Sequence, residues 1–143
     1  MTLGGRILIR NRKWEILLVK HTYIPGWHLP GGGVDYGEDL YEATVRETYE
    51  ECGIKELRDL KLIKVVINSR VSKRDHVALF TASTSDIPKL RNNLEIKTAK
   101  FFSPEDLPID IDINTMSMID EIQFCEKTLN INNKSRNYSG DEL

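Results

Sequence analysis

The 143-residue chain is 40% hydrophobic and 29% charged, too apolar for a disordered segment and of a length that predicts one domain. No window holds the ~20 consecutive apolar residues of a membrane helix, and 20 basic against 22 acidic side chains, a net charge of −2, exclude a general electrostatic footprint for nucleic acid. Cys52 and Cys125 are too few for a disulfide framework or a Cys-rich zinc site, and residues 1–10 lack the apolar core of a secretion signal. The expectation is a reduced, cytoplasmic domain without a membrane partner.

In chain order, Leu3–Arg10 and Glu15–Lys20 read as strands joined by a turn at Asn11-Arg12-Lys13. Pro25–Gly37, rich in glycine and proline, reads as a loop. A helix is predicted over Asp39–Cys52. Asp39 is its N-cap, Glu42 stands at the capping-box spacing, and Gly53 supplies the left-handed stop. Leu60–Ile67 and His76–Ser83 read as strands flanking a basic turn that carries Arg70, Lys73 and Arg74. Glu95–Phe102 reads as another strand, and Ser103–Asp106 as a short helical turn. Asn114–Leu129 places Met116, Ile119, Ile122 and Cys125 at helical spacing, a second amphipathic helix. Ile131–Leu143 is polar and expected to be a flexible tail. The alternation of strands and helices predicts an α/β (α+β) class, one domain over residues 1–130.

Chemistry concentrates on the first helix. At about 100° per residue, Glu47, Glu50 and Glu51 share one arc, with Ala43 inside it and Leu40, Thr44, Thr48, Tyr41, Val45 and Tyr49 on the adjoining arc. Like charges at these spacings weaken a helix by tenths of a kcal/mol each. A divalent cation reverses the sign of that repulsion. The plain alternative is a solvated acidic face, partly offset by Arg46 four residues before Glu50. Against it stand Gly31–Gly33 just upstream, which allow close backbone approach to an ion or phosphate, and Glu38 at the loop–helix junction. Hard oxygen ligands of this kind suit Mg²⁺ or Mn²⁺.

Gly32, Glu38, Arg46, Glu47, Glu50, Glu51, Gly53 and Ile54 stand at the spacings of the Nudix box, and the segment Gly32–Ile54 closely resembles it. Thr48 departs from the larger apolar residue the pattern prefers. Trp27–Gly32 and Glu95–Pro108 resemble the family's flanking strands, although Thr98 stands where the family often has a further glutamate. The resemblance implies a mixed β-sheet sandwiched between helices, and hydrolysis of a diphosphate linked to another group, usually a nucleoside diphosphate joined to a moiety X. It implies Mg²⁺, with Mn²⁺ as a substitute, held by Glu47, Glu50 and Glu51 and by a backbone carbonyl near Gly31 or Gly32.

For the general base, Glu47 comes first and Glu95 second. Arg46 and Glu38 are expected to hold the glutamates in place, with Gly32 and Gly53 supporting the box. Arg70, Arg74 and Arg6 are the candidate contacts for substrate phosphate, with Lys73 beside them. His21, His28 and His76 share no metal-ligand spacing and read as structural. Tyr23 and Trp27 suit either stacking on a base or packing. A catalytically silent nucleotide sensor is the alternative function, disfavoured because every box glutamate is kept. The partner is expected to be a small nucleotide or nucleoside diphosphate derivative. An RNA 5′ end stays open as a substrate variant, as does a homodimer.

Overall fold

The computed structural model describes residues 2–68, 72–91 and 94–133. Their elements are β1 (Thr2–Arg10), β2 (Ile16–His21), β3 (Trp27–His28), β4 (Gly31–Gly33), α1 (Leu40–Cys52), β5 (Arg58–Ile67), β6 (Asp75–Ser83), β7 (Ile96–Phe102) and α2 (Ile113–Asn133). The strands form one mixed seven-stranded sheet with β3-β2-β1-β6-β5 as its spine, β4 joined to β1 and β7 to β2. β1 runs parallel to β6 from Thr2↔Asp75 to Arg10↔Ser83. Its opposite edge pairs antiparallel with β4 at Gly4–Arg6 and with β2 at Arg10.

The apolar runs of β1 and β2 are continuous because the sheet is covered on both faces. Ile7, Ile9, Leu17, Val19, Ala78 and Phe80 pack on one side with Cys52 and Ile54 at the end of α1. Leu8, Ile16, Leu18 and Leu79 pack on the other with Ile119 and Ile122 of α2. Alternate residues of one strand therefore serve different layers, as the period of two requires. The result is a sheet between two helices.

α1 begins and ends as the sequence predicts. The Asp39 carboxylate accepts the Glu42 N–H at 2.8 Å, and Gly53 takes φ +69° with its N–H donated to the Tyr49 carbonyl. The helix turns slightly further than its apolar residues suggest. Ala43, Thr44, Thr48, Glu51 and Cys52 are the buried positions, whereas Tyr41 and Val45 stay exposed. Close approach to β1 selects small groups: a Cβ on Gly5 would lie 2.5 Å from the Thr44 hydroxyl.

Two expectations change in detail, at Pro25–Gly37 and at the end of α2. Within Pro25–Gly37, read as a loop, β3 falls in the segment Trp27–Gly32 that resembles a family strand, and β4 is additional, because Gly31–Gly33 hydrogen-bond to β1 with no side-chain pattern to announce it. Ser103–Asp106, read as a short helical turn, is a turn closed by Asp106 N–H to the Ser103 carbonyl at 3.0 Å. α2, expected from Asn114, starts at Ile113, and the Asp112 carboxylate accepts the Thr115 N–H at 3.0 Å. Its backbone continues through residues first assigned to the tail, as far as Asn133. Residues 134–143 lie outside the described residues.

Candidate active site

β4 and α1 face each other across the box. The Gly31 N–H donates to Glu51 Oε1 at 2.8 Å. Gly31 has φ +147°, and any Cβ there would collide with the Gly5 carbonyl, so only glycine lets β4 lie this close to β1. At Gly32 a Cβ would stand 2.6 Å from the Glu47 carboxyl carbon. The glycines thus leave space that the two carboxylates occupy.

The three box glutamates differ in burial. Glu51 keeps only 5% of its side chain exposed, Glu47 21% and Glu50 49%. Loss of water pushes the Glu51 carboxyl up to about 8, against the opposing pull of the Gly31 N–H and of Arg6. Burial also raises Glu47, and Arg46 opposes the rise.

Arg46 ties the cluster together. Its Nε and Nη2 bond Glu38 Oε2 and Oε1 at 2.7 and 2.9 Å. Its Nη1 is shared between Glu47 Oε1 at 3.0 Å and Glu50 Oε2 at 3.2 Å, and Nη2 also reaches the Gly33 carbonyl at 3.1 Å. Glu38 accepts the Asp35 N–H as well, and the Arg46 guanidinium holds its carboxyl below the usual range. A cation therefore already sits between Glu47 and Glu50, supplied by the chain itself.

A second layer lies toward β2. His21 Nε2 stands 4.0 Å from Glu51 Oε2, and the His21 and His28 rings meet edge to face at 5.4 Å. Burial lowers the His21 pKa, helped by His28 and Arg6, so the imidazole beside Glu51 is neutral at pH 7. Arg6 Nη1 donates to the carbonyls of Leu29 and Gly31 at 3.0 and 3.2 Å. Glu95, whose carbonyl accepts the Thr22 N–H, acts electrostatically on both His21 and Glu51.

The donor set, carboxylate oxygens of Glu47, Glu50 and Glu51 with no thiolate, suits a hard divalent cation. As these side chains stand, no three His, Cys, Asp or Glu residues among those described are gathered closely enough to enclose an ion. The guanidinium between Glu47 and Glu50 marks where positive charge is favoured.

A family model described as "NUDIX domain" matches residues 3–121. The chain belongs to the Nudix family. It is 32% identical over 130 residues to a Bacillus subtilis (strain 168) protein provisionally named 8-oxo-dGTP diphosphatase, covering 91% of this chain and 85% of that one. An RNA pyrophosphohydrolase of Ruthia magnifica subsp. Calyptogena magnifica is 44% identical over 48 residues, only 34% of this chain and 27% of that protein. Among solved structures, a MutT Nudix hydrolase from Burkholderia pseudomallei superposes with TM-score 0.71 at 28% identity, covering 84% of this chain and 96% of that one. The chain is thus a MutT-like Nudix hydrolase, acting on phosphorus-containing anhydrides.

Of the other residues singled out in this Nudix sequence, Arg74 is exposed at the β5–β6 turn beside Asp75, and Lys73 accompanies it. Arg70 lies outside the described residues. Tyr23 is 83% exposed, whereas Trp27 packs edge to face on Phe102 at 4.8 Å. Sequence reasoning missed a groove. One hollow of about 290 Å³ runs past Gly4, Gly5, Arg6, Gly32, Asn68, Asp75 and Met118. A second, of about 330 Å³, shares Asn68 and Met118 and continues along Val66, Leu79, Asn114 and Ser117. These residues come from β1, β4, β5, β6 and α2 and have no common spacing.

Proposed function

We propose that this Nudix chain is a Mg²⁺-dependent pyrophosphohydrolase that cleaves the diphosphate linkage of a nucleoside diphosphate joined to a further moiety X, with Mn²⁺ able to substitute. The observation that carries the reading is Glu51, a carboxylate almost wholly withdrawn from water beside a neutral imidazole and next to two more glutamates. Such a charge is costly without a cation. When bound, the divalent cation neutralises diphosphate charge and acidifies water.

Glu47, Glu50 and Glu51, with a carbonyl of Gly31 or Gly32, would hold that ion. Glu47 is the first candidate to accept the proton of the attacking water, because its partial burial makes it a stronger base than an exposed glutamate. Glu95 is the second, since its charge is felt at Glu51. Arg46 and Glu38 fix the directions in which Glu47 and Glu50 point. Arg6 holds the Leu29 and Gly31 carbonyls and lines the groove, where it adds positive charge for phosphate. The groove places amide side chains of Asn68 and Asn114 beside the apolar Leu79 and Met118, a lining suited to a flat heterocycle. Nucleoside triphosphates come first among candidate substrates, in keeping with the name of the Bacillus subtilis relative.

The test is release of phosphate or pyrophosphate from a panel of nucleotides and nucleotide conjugates, with Mg²⁺, with Mn²⁺ and with chelator, beside Glu51→Gln. Metal-dependent turnover lost in the variant supports the proposal. Nucleotide binding without turnover across the panel would favour a sensor and overturn it.

A further inference from the structure

The two carboxylate oxygens of Glu51 meet different neighbours. The Gly31 N–H fixes Oε1 at 2.8 Å. Oε2 faces His21 Nε2 at 4.0 Å, across a gap between side chains that are 5% and 17% exposed. Among the described residues, His21 is the one basic side chain that comes this near to Glu51. A carboxylate held at one oxygen can still turn about that contact, and the direction of its second oxygen decides how it meets an ion.

His21 is itself held. It ends β2 beside a slip in the ladder, where Lys20 pairs with Thr98 but His21 with Ile96. A bulge of this kind re-aims the side chain next to it. The His28 ring meets the His21 ring edge to face, with centroids 5.4 Å apart and planes at 79°. His28 in turn places Nε2 3.2 Å from the Pro25 carbonyl oxygen and Nδ1 3.8 Å from Asp112 Oδ2. The same Asp112 carboxylate accepts the Thr115 N–H at 3.0 Å, in the first turn of α2. A line of groups thus runs from the start of α2 through His28 and His21 to Glu51.

Packing alone would be met by an apolar side chain at position 21 and does not explain a ring nitrogen turned to a buried carboxylate. The gap of 4.0 Å is about 1 Å longer than a hydrogen bond. Bonds that orient catalytic groups commonly stand long until a ligand binds, and then tighten.

We propose that His21 is a positioning residue, whose Nε2 donates to Glu51 Oε2 and fixes the direction in which that carboxylate meets the divalent cation. This rests on the pyrophosphohydrolase reading. It adds to the box glutamates a residue from β2, held in place by His28 and, through His28, by the start of α2.

Mn²⁺ affinity, read by electron paramagnetic resonance on the full chain without substrate, tests the inference apart from turnover. His21→Leu fills the space without a donor and is expected to bind Mn²⁺ at least ~10-fold more weakly than wild type. His21→Met serves as the apolar replacement should His21→Leu fail to fold. His21→Gln carries an amide nitrogen the same number of bonds from Cβ as Nε2, and should recover affinity to within about 3-fold of wild type. That recovery separates the donor from mere occupancy of the space. An apolar variant that binds as wild type does, a His21→Gln as weak as the apolar variant, or a wild type that binds no Mn²⁺ would overturn the inference. Failure of the pyrophosphohydrolase reading would show separately, as silence of the Mg²⁺-loaded wild type across the nucleotide panel.

Discussion

Arg46 and Glu38 are joined at two points, Nε to Oε2 at 2.7 Å and Nη2 to Oε1 at 2.9 Å. Because the same guanidinium continues to Glu47 and Glu50, Glu38 acts on those carboxylates through Arg46. Arg46→Ala is expected to cut kcat by roughly 10- to 100-fold through misdirected glutamates. Arg46→Lys should recover little, because a point charge cannot reproduce the fork. Steady-state kinetics across a Mg²⁺ titration checks this; unchanged kcat in Arg46→Ala would remove the positioning role.

Glu51→Gln is expected to abolish most turnover and yet stabilise the metal-free fold at neutral pH. The folded carboxyl titrates at about 8 because it is buried, against about 4.3 for an unfolded glutamate. Between those values the folded state holds a proton that the unfolded state has released, so wild-type stability falls as pH rises through that window. Glutamine has no such slope. Melting temperatures from pH 5 to 8.5 in chelator should show wild type falling behind the variant by about 3 °C or more. Parallel curves would mean that Glu51 pays no burial cost.

Gly32→Ala places a methyl group 2.6 Å from the Glu47 carboxyl carbon. Glu47 is the end of a long side chain and can swing away, so the fold survives while the donor moves. The expected result is a melting temperature within a few degrees of wild type and a kcat/KM at least ~10-fold lower. Full activity in this variant would exclude Glu47 as a ligand or base in its present position.

Arg10 and Glu126 form a two-point pair across 116 residues, at 2.8 and 2.7 Å, with only 8% of the Arg10 side chain exposed. It fastens α2 to the end of β1. Glu126→Ala leaves a buried guanidinium without its partner and is expected to cost about 2 kcal/mol, below the figure for a fully buried pair because Glu126 is 27% exposed. Urea unfolding measures it. A cost under ~0.5 kcal/mol would show that water replaces the carboxylate.

The caps of α1 were legible because Asp39, Glu42 and Gly53 state their roles through short spacings. The sheet between helices was legible in the alternation of strands and helices and in the resemblance to the Nudix family. The shared arc of Glu47, Glu50 and Glu51 followed from helical geometry. Which of them is buried did not, since that depends on how α1 rotates against β1, a matter settled by the Gly5–Thr44 contact. β4 was hidden because glycines carry no pattern, and its strand character exists only in pairing with Gly4–Arg6. The groove past Asn68, Asn114 and Met118 joins residues of β1, β4, β5, β6 and α2, which no local window contains.

The parallel pairing of β1 with β6 sets the order in which the site can come into being. β4 packs against β1 only at Gly4–Arg6, and the opposite edge of those same residues pairs with Val77–Leu79. Thr2 and Asp75, at the start of that ladder, are 73 positions apart, a loop whose closure entropy is met before the contacts return it. The glycine backbone and the Glu51 pocket it completes are therefore expected to close late in folding, which pulsed hydrogen exchange at the Gly31 N–H would check. Metal affinity would then report on the closed sheet as a whole, and a partly folded chain would have the box in its sequence without the power to hold an ion.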